Sequence, residues 1–406
     1  MSYEVALSDK YMLDQGRVFL SGTQALTPVL LSHRRSDAPQ GLNTGGFVSG
    51  YRGSPLGSLD TALWAARGAL KDGGIVFQPG VNEELAATAV YGSQQLGFFP
   101  GARHDGVFAA WYGKGPGVDR AGDALKHGNL AGTAALGGVL VLAGDDHSAK
   151  SSTTAHQSEQ ALVASLIPVL YPASVAEFLE FGAFGIALSR FSGLWAGFKC
   201  INDTADATAT ASLGDPLRRW LCPEVEMPPE GLNIFQGETQ LSMERRTTDF
   251  RLPAAQAFIR ANRLDRVLRD GDRRTLGIVT AGKAALDVIE ALNQLGLNDA
   301  RCRALGIRVL KLAMTWPVEP DVTRAFARGH RQVLVVEEKR AFIEPQVASL
   351  LYHLDAGERP VLTGKADATG RPLLPQNGEL GPTEIGAVLF GQLEALGLVD
   401  EPLRTR

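Results

Sequence analysis

Val-Phe-Gln-Pro-Gly-Val-Asn-Glu-Glu-Leu-Ala-Ala-Thr-Ala-Val-Tyr-Gly, residues 76–92, joins the end of a strand to the start of a helix. Ile75 to Phe77 is a short apolar run, and Pro79-Gly80 breaks it. Asn82 is a good N-cap for the helix that follows, with small apolar residues at Ala86, Ala87, Ala89 and Val90. Glu83 therefore opens a helix just past the carboxyl end of a strand, where open α/β sheets take their ligands. Acids in a first helical turn are also favoured by the helix dipole alone. The neighbouring stretches decide between these readings.

The same alternation continues on both sides. Gly46–Gly50 is a strand, and Ser58 caps a helix with Leu59, Ala62, Leu63, Ala66 and Leu70 on one face. Val107–Trp111 is a third strand. Gly138–Ala143 is almost wholly apolar, as in a parallel strand buried on both faces. A helix over 155–166, a strand at Ile167–Leu170, a helix over 174–190 and a strand at Leu194–Lys199 complete the set. This predicts a doubly wound domain over residues 1–213. Pro216, Pro223, Pro228 and Pro229 punctuate a polar stretch, 214–250, that reads as a surface linker. A second α/β domain is expected over 251–363, with strands 276–280, 307–312 and 333–336 between helices. A loop-rich tail, 364–406, carries one last helix near 383–395. The predicted class is α/β with two parallel-sheet domains.

At 406 residues the chain exceeds one ordinary core, which suits two domains. A net charge of -4 points away from nucleic acid and anionic membrane surfaces. No run approaches the ~18–20 apolar residues of a membrane span, and the N-terminus does not read as a signal peptide. Cys200, Cys222 and Cys302 are far apart and no Cys-x-x-Cys occurs. Disulfides, a zinc ribbon or an iron–sulfur cluster within this chain are not expected, and a reducing cytoplasm is the expected location.

Four loops leave carboxyl ends of first-domain strands: Tyr-Arg-Gly-Ser-Pro (51–55), Pro-Gly-Val-Asn-Glu (79–83), Tyr-Gly-Lys-Gly-Pro-Gly (112–117) and Gly-Asp-Asp-His-Ser (144–148). In a doubly wound sheet they converge on one crevice. Gly53 and Gly115 let backbone approach a ligand, and Ser54, Glu83, Lys114, Asp145 and His147 are the candidate polar groups. Gly144 to Ser151 nearly spells a phosphate-binding loop, but Ala149 stands at the second glycine, where alanine disfavours the required backbone. His127 and His156 read as solvated or locally satisfied, and no histidine spacing suggests a metal cage.

With these loops in hand, the chain resembles the front part of the 2-oxoacid:ferredoxin oxidoreductases, in particular the long single-chain bacterial indolepyruvate enzymes. The resemblance is carried by residues 16–26, 41–57, 76–90, 111–120, 143–152 and 334–340, the last reading Leu-Val-Val-Glu-Glu-Lys-Arg. It implies that the first domain is the pyrimidine-binding half of a thiamine diphosphate site and the second a transketolase C-terminal-like domain. Glu83 falls where the family's glutamate contacts the aminopyrimidine ring, with Glu84 as the fallback if the register slips. Ser54 falls where the family places a hydroxyl near the substrate carboxylate. Arg52 stands there in place of a proline and is taken as substrate-facing too. Gly53, Lys114, Gly115, Asp145 and His147 become cofactor-facing.

The resemblance also implies a 2-oxo acid substrate, coenzyme A and ferredoxin as acceptors, and magnesium and [4Fe-4S] clusters in parts not found here. The Gly-Asp-Gly motif for diphosphate and magnesium is missing, so the site is expected to be shared with a further domain or subunit and to be inactive without it. A homodimer is the expected minimum. A non-catalytic binding or dimerisation module and, more remotely, a phosphate-loop nucleotidase are the alternatives.

Overall fold

The apolar runs become strands in the computed structural model, which describes residues 6–215 and 218–405. Contacts divide the chain into two units, Met1–Asn262 and Arg263–Arg406. The first opens with β1 (Gly16–Ser21). Then come β2 (Thr44–Gly50), β3 (Ile75–Phe77), β4 (Gly106–Lys114), β5 (Val139–Asp145), β6 (Val169–Leu170) and β7 (Trp195–Ile201). These six pair in parallel, in the spatial order β6-β7-β5-β4-β2-β3. A last strand, β8 (Thr208–Leu213), returns to pair antiparallel with β1. From β2 the chain runs to β3 on one side and then to β4 on the other. The crossing point therefore lies at the carboxyl ends of β2 and β4, where such sheets open a crevice.

β5 is buried along its whole length, as its unbroken apolar run requires. The helix Val175–Ser192 lies on this sheet and packs against the helix Gly22–Asp37. Two glycines permit both approaches. A Cβ on Gly182 would stand 2.8 Å from Val29, and one on Gly185 would stand 2.6 Å from Leu140. The helix Gly22–Asp37 starts in a reciprocal cap: Ser21 Oγ accepts the Gln24 N–H and the Gln24 side chain accepts the Ser21 N–H.

The stretch read as a surface linker is mostly exposed among its described residues and is tied to the first unit at a few points. Leu232, Arg246 and Arg251 are buried, and the Arg251 guanidinium donates to the carbonyls of Leu232 (2.7 Å), Leu130 (2.8 Å) and Ala131 (3.1 Å). It thereby satisfies the open carbonyl end of the helix Gly122–Ala131. An anchor made by a guanidinium leaves no apolar periodicity to read. The helix Leu252–Asn262 also stays with the first unit, because Phe258 stacks on Phe191 with ring centroids 4.9 Å apart. The boundary falls at 262, later than residue 250.

The second unit contains β9 (Arg266–Arg269), β10 (Leu276–Ala281), β11 (Ile307–Leu312), a short β12 (Met314–Trp316), β13 (Gln332–Val336) and β14 (Val361–Thr363). One sheet runs β14-β13-β10-β11-β9, parallel except for β9. Residues 364–406, read as a tail, are part of its core. Leu374, Leu380, Leu403 and three residues of the helix Pro382–Ala395 (Ile385, Leu389, Leu393) are buried against Leu276, Ile278 and Val288. No helix among the described residues is long and apolar enough to cross a membrane.

Candidate functional site

Glu83 is the first residue of the helix Glu83–Ser93, and the Asn82 side chain caps that helix by accepting the Leu85 N–H at 2.8 Å. The entry is fixed from the sheet side as well. Gly80 N–H donates to the Gly50 carbonyl at 2.8 Å, and Trp111 Nε1–H donates to the Glu83 carbonyl at 2.9 Å. Below, Ala86, Ala87 and Val90 pack on Trp111 and Val118. Small side chains thus bring the helix close to β4.

Only 6% of Glu83 remains accessible, whereas Glu84 is exposed. This burial distinguishes the two acids, which the sequence left as alternatives in register. The Glu83 carboxyl lies against the turn after β4. A Cβ on Gly117 would stand 2.6 Å from Glu83 Cγ and 2.7 Å from Oε1. Arg120 Nε is 4.0 Å from Oε2, and among the described residues no group donates a hydrogen bond to the carboxyl. A carboxyl held only by one arginine at the limit of ion-pair range can take a further donor. It fits a ligand that brings its own polar nitrogen.

The other loops join this turn through direct contacts. A Cβ on Gly53 would stand 2.8 Å from the Lys114 side chain, and Ser54 Oγ is hydrogen bonded to Ser151 Oγ. Arg52 is exposed and Ser54 half-buried. Glu83, Gly53, Ser54, Lys114 and Gly115 therefore belong to one continuous set of loop ends at the crossing point.

Asp145 and His147, expected to face the cofactor, are both buried, at 0% and 3% exposed, and Asp145 is already engaged by its neighbours. Asp145 accepts from the Ser158 N–H (2.9 Å) and O–H (2.5 Å), while His156 Nδ1 lies 3.3 Å away and Lys199 Nζ 3.8 Å away. Burial alone would raise its pKa. The hydrogen bond with His156 and the Lys199 charge outweigh that and hold it below the usual carboxylate range. Asp145 is thus a framework anion that ties the loop, and the tie delays the next helix to Glu159–Ala164.

The near-phosphate loop is likewise self-filled. The Asp146 carboxylate accepts the N–H groups of Lys150 (3.0 Å), Ser151 (2.8 Å) and Ser152 (2.9 Å), and Ala149 takes φ 54°. The amides that would cradle a phosphate already hold a carboxylate, which disfavours the nucleotidase reading.

Three residues at the site escaped sequence reasoning: Gly117, Arg120 and His156. Gly117 and Arg120 stood inside a quoted motif without a role, and their relation to Glu83 is a tertiary one. His127 is exposed beside Asp123, but His156 is largely enclosed between Asp119 and Asp145. Gly117→Ala should cost about 1–3 kcal/mol by forcing the Glu83 side chain aside, although alanine is the better helix former. Gly122→Ala, with open space around it, should be neutral or stabilising. Thermal denaturation of both variants checks this.

Two solved structures share this fold over 93% of the chain. A 2-oxoglutarate:ferredoxin oxidoreductase from Magnetococcus marinus, with 2-oxoglutarate, coenzyme A and succinyl-CoA bound, aligns with TM-score 0.61 at 15% identity over 65% of its own chain. A split-gene transketolase, an inactive beta4 tetramer, aligns with TM-score 0.54 at 16% identity over 99% of its chain. The fold, two parallel-sheet α/β units in succession, is the one these two structures share.

Residues 266–406 match the indolepyruvate oxidoreductase domain family. Indolepyruvate oxidoreductase subunit IorA of Methanothermobacter thermautotrophicus is 28% identical over 75% of this chain and 46% of its own length. The Archaeoglobus fulgidus subunit of the same name is 25% identical over 94% of this chain and 54% of its own. The chain is similar to these indolepyruvate oxidoreductase subunits and spans about half the length of these curated relatives.

Proposed function

We propose that this chain supplies the aminopyrimidine half of a thiamine diphosphate site in an oxidoreductase that decarboxylates an indolepyruvate-like 2-oxo acid. The observation that carries the reading is Glu83, a carboxyl 6% exposed at the head of a helix and without a hydrogen-bond donor among the described residues. Thiamine diphosphate, when bound, supplies the electron sink for loss of carbon dioxide. Glu83 holds the proton exchanged with the pyrimidine ring nitrogen. Ala86, Ala87 and Trp111 keep water from its stem. Gly53, Lys114 and Gly115 border the cofactor, while Arg52 and Ser54 offer positive charge and a hydroxyl to the substrate carboxylate.

Magnesium, the diphosphate anchor and [4Fe-4S] clusters belong, in this proposal, to further polypeptide. The complete enzyme, in a reducing cytoplasm and at least dimeric, passes electrons to ferredoxin and the acyl group to coenzyme A.

Mixing the chain with the polypeptide that carries Gly-Asp-Gly and the cluster cysteines tests this. With thiamine diphosphate, magnesium, coenzyme A and ferredoxin present, turnover of an aryl 2-oxo acid should appear only in the mixture. Turnover by this chain alone, or none in a stable complex of the two, would overturn the proposal.

A further inference from the structure

The short helix Gly115–Arg120 stands between two side chains. Towards one, Gly117 abuts Glu83 and Arg120 lies 4.0 Å from its carboxyl. Towards the other, Gly115 abuts the His156 ring so closely that a Cβ could not be accommodated, and Asp119 Oδ2 is 2.8 Å from His156 Nε2. His156 Nδ1 is in turn 3.3 Å from Asp145 Oδ1, at the end of β5. One ring therefore bridges the rigid centre of the sheet and the helix that abuts Glu83.

We propose that His156 is a positioning residue for Glu83: clamped between Asp119 and Asp145, it fixes the Gly115–Arg120 helix, and that helix holds the Glu83 carboxyl at the crevice. The inference rests on the reading of Glu83 given above. The charged groups facing the clamp are Asp119 from the short helix and Asp145 from β5. Behind Asp145 stand Lys199 of β7, paired with Glu159, and His147. Ser158 Oγ, 3.2 Å from Nδ1, completes the surroundings. The hydrogen bond with Asp145 raises the His156 pKa, burial opposes it, and Asp119 adds to the rise. A His with a raised folded-state pKa contributes fully below its unfolded value of about 6.5. That contribution is lost as pH rises through the folded value.

Hydrogen exchange of the peptide spanning residues 113–121, read as protection factors between about pH 6 and pH 9, tests the clamp without any cofactor. In the wild type, protection should fall as pH passes the folded His156 pKa. His156→Gln should show about fivefold lower protection at the acid end and no such step. Asp119→Asn, changed on a largely exposed side chain, should show the same pattern with the rest of the chain unaltered. Unchanged protection in both variants would overturn the clamp.

In the completed enzyme, His156→Gln should weaken thiamine diphosphate binding in the wild-type background and add less than about twofold to Glu83→Gln. Full additivity would overturn action through Glu83. If Glu83→Gln retains full turnover while the helix still loosens in His156→Gln, the catalytic reading fails and the clamp itself stands.

Discussion

Glu83→Gln is expected to lower turnover of the completed enzyme by about a hundredfold or more while leaving the fold unchanged. The amide has the same shape, fits the same seat beside Gly117, and keeps the Asn82 cap and the Trp111 contact, which involve backbone. What it cannot do is hold and return a proton, and a positioned acid–base group contributes about 10²–10⁴-fold. The carboxyl accepts no hydrogen bond within the described residues. Its loss should therefore shift stability by no more than about 1 kcal/mol, the scale of its favourable interaction with the helix dipole. Glu84→Gln, on the exposed face, should retain turnover within about twofold. Steady-state kinetics with matched thermal melts decide the matter. A fully active Glu83→Gln enzyme would remove Glu83 from the chemistry.

The second large effect concerns stability. Arg190→Met should destabilise the first unit by about 3–5 kcal/mol, because it leaves a buried carboxylate without its counter-ion. Arg190 Nη1 and Nη2 each reach an Asp37 oxygen at 2.9 Å, and Thr44 Oγ1–H donates to the same carboxylate at 2.7 Å. The guanidinium also donates to the carbonyls of Gly137 (3.1 Å) and Leu136 (3.2 Å), tying two helices to the turn before β5. His33, 3.7 Å from Asp37, is a poor substitute, since burial, the main cause that lowers its pKa, persists when Arg190 is removed.

Burial pushes the Asp37 pKa up, and the Arg190 hydrogen bonds, with smaller contributions from His33 and Thr44, bring it below the ordinary value. Its contribution is therefore complete above the unfolded carboxyl value of about 3.9. It is lost as pH falls through the lower folded value. Arg190→Met has no such contribution to lose, so its deficit against the wild type should narrow in acid. Denaturant unfolding at neutral and acid pH measures both effects. A second change, Asp37→Asn, should recover part of the loss in the double variant.

The strand at 75–77, the Asn82 cap and the buried run of β5 were legible because each is a local pattern of apolar residues and turn formers. The pairing of β1 with β8 was not, since the partners lie far apart in sequence and nothing local specifies the match. The stretch 214–250 lies largely exposed as its composition suggests, but its tie to the first unit was not legible, because Arg251 holds the Leu232 carbonyl and a hydrophobic pattern cannot report that. Residues 364–406 misled because prolines and glycines interrupt their first half, so Leu374 and Leu380, which reach the core, fall in no periodic run.

By itself, then, the chain determined an α/β character, the succession of strands and helices, and the four glycine-bearing loops, one of which ends in Glu83. Those properties follow from short-range periodicity and backbone preference. Tertiary structure alone decided that Glu83 rather than Glu84 is buried, that Asp145 is held by Ser158, His156 and Lys199, and that His156 stands behind the turn abutting Glu83. Burial and ion pairing are relations among residues that only packing brings together, so their outcome is set by which surfaces meet.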